Sequence, residues 1–319
     1  MIGRAVCMAV LLVASNFARS QVSAADPTAW LDRMATAAQT LNYSGTFVFQ
    51  TGARSETSLI VHAVDGDHEF ARLEALDGSP REVVRDNNEV RCYLPDDRRV
   101  VVDKRRPYRE FPALIKPNAR WLADHYAVRE GEIERIAGHE VRLVMLEPKD
   151  GWRYGHRLWV DVNSGLIVKA QTLDERSHPI EQFSFTQLSI GAPISRAQLT
   201  AKHAAGGWKV ENLPVSEGAD GRWRARSLLP GFYKTQEMRH RWRDGGPPVE
   251  HLVFSDGLAA VSVFVEPLDR DHPHETGAAA QGALNLFVRP IVGYTITVLG
   301  EVPPATVRKI AYEIENDKP

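Results

Sequence analysis

Six cations fall within twelve positions, at Arg98, Arg99, Lys104, Arg105, Arg106 and Arg109, around a short apolar run at Val100, Val101 and Val102. Guanidinium groups grip phosphates and carboxylates in bidentate fashion, so this cluster is a candidate docking patch for lipid phosphates or an acidic peptide. Asp96, Asp97, Asp103 and Glu110 are interleaved with it. They screen much of the field, which makes a solvated charged face the plainer reading. Catalytic chemistry finds little support. The chain has no Gly-x-Ser-x-Gly elbow, no Gly-rich phosphate loop followed by Lys, and no His-Glu-x-x-His pair. His272-Pro273-His274 and His139-Glu140 place ligand types side by side but lack the spaced third and fourth partners of a zinc site. No metal or cofactor is expected, and no enzymatic activity.

Aromatic residues are the second candidate. Phe47, Phe49, Trp121, Trp159, Phe183 and Phe185 lie in or beside segments with strand periodicity. Most read as plain core; the alternative is that a single curved sheet closed by helices leaves a concave apolar surface able to hold an acyl chain, as partly closed barrels hold ligands.

The elements that must position these residues begin after an export signal. Arg4, the apolar run 5–14 and Val22-Ser23-Ala24-Ala25 read as a secretory signal peptide over residues 1–25. The apolar run is too short to cross a bilayer. Removing Arg4 and Arg19 takes the formal charge from −2 to about −4, and neither charge nor compartment favours nucleic acid. Cys92 is then the one remaining cysteine, so no intrachain disulfide forms; its alternation with Val90 and Leu94 reads as a small strand residue.

Trp30, Met34, Ala37, Ala38 and Leu41 recur at helical spacing, after which Tyr43, Gly45, Phe47 and Phe49 alternate with period two. Asp-Gly pairs begin at Asp65, Asp77, Asp150, Asp220, Asp244 and Asp256 and punctuate a series of expected antiparallel strands. A second helix is expected over 117–125 and a terminal one from Pro303-Pro304. Residues 191–207, rich in Ala, Gly, Ser and Thr, read as a linker, and 269–282 as a mobile loop. The organisation expected is a first domain over 26–190, a linker, and a smaller β domain over 208–319.

At this point the residues resemble a known family, the RseB/MucB regulators of the sigma-E envelope stress response. The resemblance spans nearly the whole chain after the signal. It rests on Leu41-Asn42-Tyr43-Ser44-Gly45-Thr46-Phe47-Val48, Leu76-Asp77-Gly78-Ser79-Pro80-Arg81-Glu82-Val83, Leu229-Pro230-Gly231-Phe232, Thr297-Val298-Leu299-Gly300-Glu301-Val302-Pro303 and, most specifically, Val253-Phe254-Ser255-Asp256-Gly257-Leu258-Ala259. These runs are turns and strand cores, so they carry architecture better than contacts.

The resemblance implies an α+β, mainly antiparallel fold: an unclosed β-barrel shaped like the lipoprotein carriers LolA and LolB, with helices in its mouth, and a smaller C-terminal β domain with a terminal helix. It also implies a periplasmic protein that binds the periplasmic part of an anti-sigma factor, RseA or MucA, and shields it from the first regulatory protease. Lipid, lipopolysaccharide or lipoprotein acyl chains would release it; a homodimer is left open. The second domain and linker are then expected to supply most partner contacts, with Phe232, Phe254 and Arg289 as candidates, and the first domain the lipid cavity. A LolA-like carrier is the rival reading, and an unrecognised hydrolase the third.

Overall fold

The computed structural model describes residues 26–104, 115, 121–203, 206–213, 217–219, 221–241, 246–269 and 275–317. The expected signal peptide, Arg105, Arg106, Arg109, Asp220, Asp244, the His272/His274 pair and residues 117–120 of the expected second helix lie outside them. Among the described residues, no helix is long and apolar enough to cross a membrane.

The first domain opens with helix α1 (Ala29–Thr40), which buries Leu31, Met34, Ala35, Ala37 and Ala38 on one stripe. Six strands follow: β1 (Tyr43–Thr51), β2 (Arg54–Asp65), β3 (His68–Ala75), β4 (Glu82–Asp86), β5 (Glu89–Leu94) and β6 (Arg99–Asp103). After the one-turn helix α2 (Leu122–His125) come β7 (Tyr126–Ile136), β8 (His139–Pro148), β9 (Gly155–Asp161), β10 (Ile167–Leu173) and β11 (Pro179–Ile190). β1 pairs with both β2 and β11, which joins the two meanders into one curved sheet. With the short helix α3 (Arg196–Leu199) and β12 (Lys209–Asn212) the sheet has twelve strands, and its end strands β12 and β7 are not paired with each other. It is therefore an open barrel.

β7 begins seven residues before the expected strand at 133–136, through the polar stretch Arg129-Glu130-Gly131-Glu132, because an edge strand need bury neither face fully. Residues 191–203 of the expected linker are tied to the first domain. Ser195 N–H donates to Gln198 Oε1 (2.8 Å) at the start of α3, and β12 then pairs parallel to β6, the one parallel pair in the sheet among the described residues. Arg72 and Glu82, both buried in the outer face, anchor this strap. Arg72 Nε donates to the Gln198 carbonyl (2.7 Å), and the Glu82 carboxylate accepts from Arg72 Nη1 (2.8 Å) and from the amides of Lys202 and His203 (3.2 Å each).

The second domain comprises β13 (Glu217–Gly218), β14 (Trp223–Ala225), β15 (Tyr233–His240), β16 (Val249–Ser255), β17 (Ala260–Pro267), β18 (Gly277–Gln281), β19 (Leu284–Ile291) and β20 (Tyr294–Gly300), then α4 (Pro304–Glu313) and β21 (Ile314–Asn316). Seven of its strands form an antiparallel sheet; β14 and β21 pair separately. Pro304 at the first helical position starts α4, whose Val307, Ile310 and Ala311 close the core over Val263, Ile296 and Val298. The expected loop 269–282 is in part strand: β18, Gly-Ala-Ala-Ala-Gln, is an exposed edge that sequence periodicity does not reveal because its residues do not alternate in polarity.

Candidate functional site

The concave face of the first sheet gathers three of the expected aromatics. Phe47, Phe183 and Phe185 are buried, with ring centroids 5.8–6.3 Å apart in edge-to-face arrangements. Phe49, opposite Phe183 in register, is 37 % exposed and borders a hollow of about 740 Å³ at the end of the sheet, with Arg54, Arg81 and Leu94. Trp159 is buried in the same core cluster but does not point to their side of the sheet. Leu158 pairs with Ala170, and Ala170 with Phe183, so strand alternation turns Trp159 to the opposite face. There its indole N–H donates to Glu134 (2.9 Å), and Lys169 lies over its ring.

The described part of the basic cluster is largely neutralised. Arg99 lies 3.6 Å from Asp97 and 3.5 Å from Glu211, and Lys104 lies 3.8 Å from Glu89; Arg98 is exposed in a turn. Cys92 is half-buried, and burial pushes its thiol up. Among the described residues no group of three or more His, Cys, Asp or Glu is placed to hold a metal.

The three residues expected to meet a partner serve the fold in this conformation. Phe254 is 1 % exposed inside the second core, and Phe232 is buried beneath a guanidinium of the first domain. Arg289 donates from Nε to the Ala311 carbonyl (2.8 Å) and from Nη2 to that of Ile314 (3.3 Å). It thereby caps the C-terminal end of α4, where unsatisfied carbonyls favour a cation.

The most elaborate polar arrangement joins the two domains. The β8–β9 loop carries Trp152, Arg153 and Tyr154 out of the first domain. Trp152 packs against the second core and its carbonyl accepts from Thr306 Oγ1 (2.8 Å); Tyr154 accepts from Asn285 Nδ2 (2.9 Å). Arg153 between them is wholly buried. Its Nη2 donates to the Pro230 carbonyl (2.5 Å), and its guanidinium lies 5.6 Å from the Tyr126 ring and 5.2 Å from that of Phe232. Nε stands 3.3 Å from Asp150 and 3.6 Å from Asp256.

Asp256 belongs to the most specific of the sequence runs, at the turn between β16 and β17. Its carboxylate is fully buried: Oδ2 accepts from the Tyr126 hydroxyl (3.0 Å) and Oδ1 from the amides of Leu258 (3.0 Å) and Ala259 (2.7 Å). Burial first, and then the negative charge of Asp256, push the Tyr126 phenol well above its ordinary value, which keeps it a donor. Gly257 next to it has φ +87°, and a Cβ there would fall 1.9 Å from the Trp121 ring. Gly231, in the second domain's other inserted turn, similarly abuts His125. Trp121 therefore sits at the domain boundary, edge-on to Tyr233, and not among the concave phenylalanines.

Sequence reasoning passed over this clasp, although two signals were present. Trp152-Arg153-Tyr154 puts three large side chains in an Asp-Gly turn, where small polar residues are usual. Asp256 puts a carboxylate inside an otherwise apolar run, which a buried partner explains.

Comparison with known proteins agrees with this two-part architecture. The MucB/RseB N-terminal domain model matches residues 26–203 and the MucB/RseB C-terminal domain model residues 217–315. The chain is 33 % identical to the sigma factor AlgU regulatory protein MucB of Pseudomonas aeruginosa, over 96 % of each chain. It is 28 % identical to the sigma-E factor regulatory protein RseB of Escherichia coli K12, again over 96 % of each. Among solved structures, that of the Pseudomonas aeruginosa MucA/MucB complex matches at TM-score 0.74 and 30 % identity, covering 92 % of this chain and all of that one. With both domain models matched and a relative of this identity along its length, the chain belongs to the MucB/RseB family of sigma-factor regulatory proteins.

Proposed function

We propose that this protein acts in the periplasm as a negative regulator of a sigma-E-type envelope stress response. It binds the periplasmic domain of a MucA/RseA-type anti-sigma factor, withholds it from regulated proteolysis, and releases it when a lipid or the acyl chain of a mislocalised lipoprotein occupies the first domain. The observation that carries this reading is the likeness, along almost the full chain, to a MucB solved together with MucA.

The geometry supports the releasing step. Two ligands oppose one another only if they favour different states of one protein, and then each weakens the other by the same factor. Two domains interlocked through short turns are such an element, since repacking a few side chains suffices to move one against the other. The concave face of the first domain, with Phe47, Phe183 and Phe185 inside and Phe49 at its end, is the apolar surface for the acyl chain.

Digestion of the anti-sigma periplasmic domain by its regulatory protease tests the whole reading. The mature chain lengthens the substrate's half-life, and lipopolysaccharide or an acylated peptide restores the original rate. Unaltered digestion in the presence of excess protein overturns it.

A further inference from the structure

The core on the concave face of the first domain contains, among the described residues, one side chain that the second domain contributes: Leu258, buried in the same cluster as Leu31, Ile115, Leu122 and Phe185. Leu258 does not arrive there independently of the ionic contact beside it. The Asp256 oxygen that receives the Leu258 and Ala259 amides shapes the turn, while the other oxygen of the same carboxylate is held by Tyr126 and faces Arg153. Ser255 completes the turn, accepting from the Gly257 amide and donating to the Ala259 carbonyl (2.8 Å each). Trp121, just before α2, rests on Gly257 while Leu122, the first residue of α2, faces the first core, so the start of the helix bridges the turn and the core.

We infer that this turn of the second domain is a built-in occupant of the first domain's concave interior, and that an acyl chain and Leu258 compete for it. The inference rests on the reading of the concave face as an amphiphile site and names what that amphiphile must displace. An acyl chain removes far more apolar area from water than one leucine does, so it is an effective competitor. Its entry withdraws Leu258, and with it the Asp256 carboxylate from Arg153 and Tyr126, which unlocks the domains. The lock is suited to opening: Nε and Nη1 of Arg153 meet no acceptor in hydrogen-bond geometry among the described residues, so separation does not sacrifice a saturated network.

The test uses the full mature chain, dansyl-labelled undecanoic acid as fluorescent probe, and the variants Leu258→Ala and Val263→Ala, the second a comparable truncation in the second core away from the boundary. Leu258→Ala binds the probe about 5- to 150-fold more tightly than the parent, the usual span of such coupling, while Val263→Ala binds it as the parent does. In the parent, saturating dodecanoate raises hydrogen exchange at the amides of Gly257, Leu258 and Ala259. Probe affinity equal in parent and Leu258→Ala, or exchange at the turn unmoved by dodecanoate, overturns the competition and leaves the amphiphile reading standing. Failure of every form to bind the probe removes that reading and the competition together. Should Leu258→Ala not fold, the exchange measurement on the parent decides.

Discussion

Arg153 and Asp256 face each other across the domain boundary at 3.6 Å, one from the β8–β9 loop and the other from the turn between β16 and β17, with neither side chain reaching solvent. Removing one member of such a pair strands the other charge in the interior, at a cost of about 3–5 kcal/mol. Asp256→Ala is therefore expected to lower stability by about that amount in denaturant titration. Arg153→Met combined with Asp256→Leu is expected to lose markedly less than the sum of the two single changes. Strict additivity across the cycle would show that the pair is not coupled.

Gly257 carries a second prediction. With φ +87° and Trp121 where its Cβ would stand, Gly257→Ala suffers both backbone strain and a clash. A loss of about 1–3 kcal/mol is expected from strain of this kind, part of it recovered in the Gly257→Ala/Trp121→Ala double variant, where the obstructing ring is gone. Thermal melts of the three variants measure this, and identical melting of the parent and Gly257→Ala would contradict the packing described.

The strap across the outer face depends on Glu82. Glu82→Gln leaves buried Arg72 with Glu74 (2.9 Å) in place of two carboxylates and weakens the acceptors of the Lys202 and His203 amides. The expected result is faster hydrogen exchange at these two amides and earlier proteolysis between residues 195 and 207, with the second domain's core amides unaffected. Unchanged exchange there would mean that the strap is held by other contacts.

Acid should weaken the first domain at the turn after β9. Burial raises the Asp161 carboxyl, but hydrogen bonds from the Ser164 side chain and backbone, and then from His139, more than offset it and hold the group below its ordinary value. A carboxyl depressed in the folded state contributes stability above its unfolded value, about 3.9, and loses it as pH falls through the lower folded one. Stability measured from pH 6 downward is expected to decline below about pH 4, and Asp161→Asn to be less stable at neutral pH but to decline less steeply in acid. Parallel acid profiles for the two proteins would contradict the assignment.

How much of this was readable beforehand follows from what each residue answers to. Tyr43, Gly45 and Phe47 obey strand alternation because one face of β1 is buried from Tyr43 to Phe47, and Pro304 starts α4 where local chemistry alone demands it. β18 and the first half of β7 escape because edge strands are constrained by pairing and not by burial, and pairing is not written in polarity. Residue type alone does not assign faces, so which side of β9 Trp159 takes is read only from the register, where Leu158 pairs with Ala170 and Trp159 with Lys169. The clasp is the clearest case: Arg153 and Asp256 are 103 positions apart, and only the fold makes them neighbours. Family resemblance reached the architecture, since its shared runs are turns and strand cores; Phe232 and Phe254, which lie in those runs, are buried within the fold.

The central claim is that this chain holds an anti-sigma factor. Isothermal titration of the mature protein with the purified periplasmic domain of a MucA/RseA-type anti-sigma factor measures it without any protease or lipid. The account predicts saturable binding with a defined stoichiometry, weakened when dodecanoate is present at saturation. Absence of heat and of a co-eluting complex at concentrations well above micromolar, with both proteins folded, would contradict it.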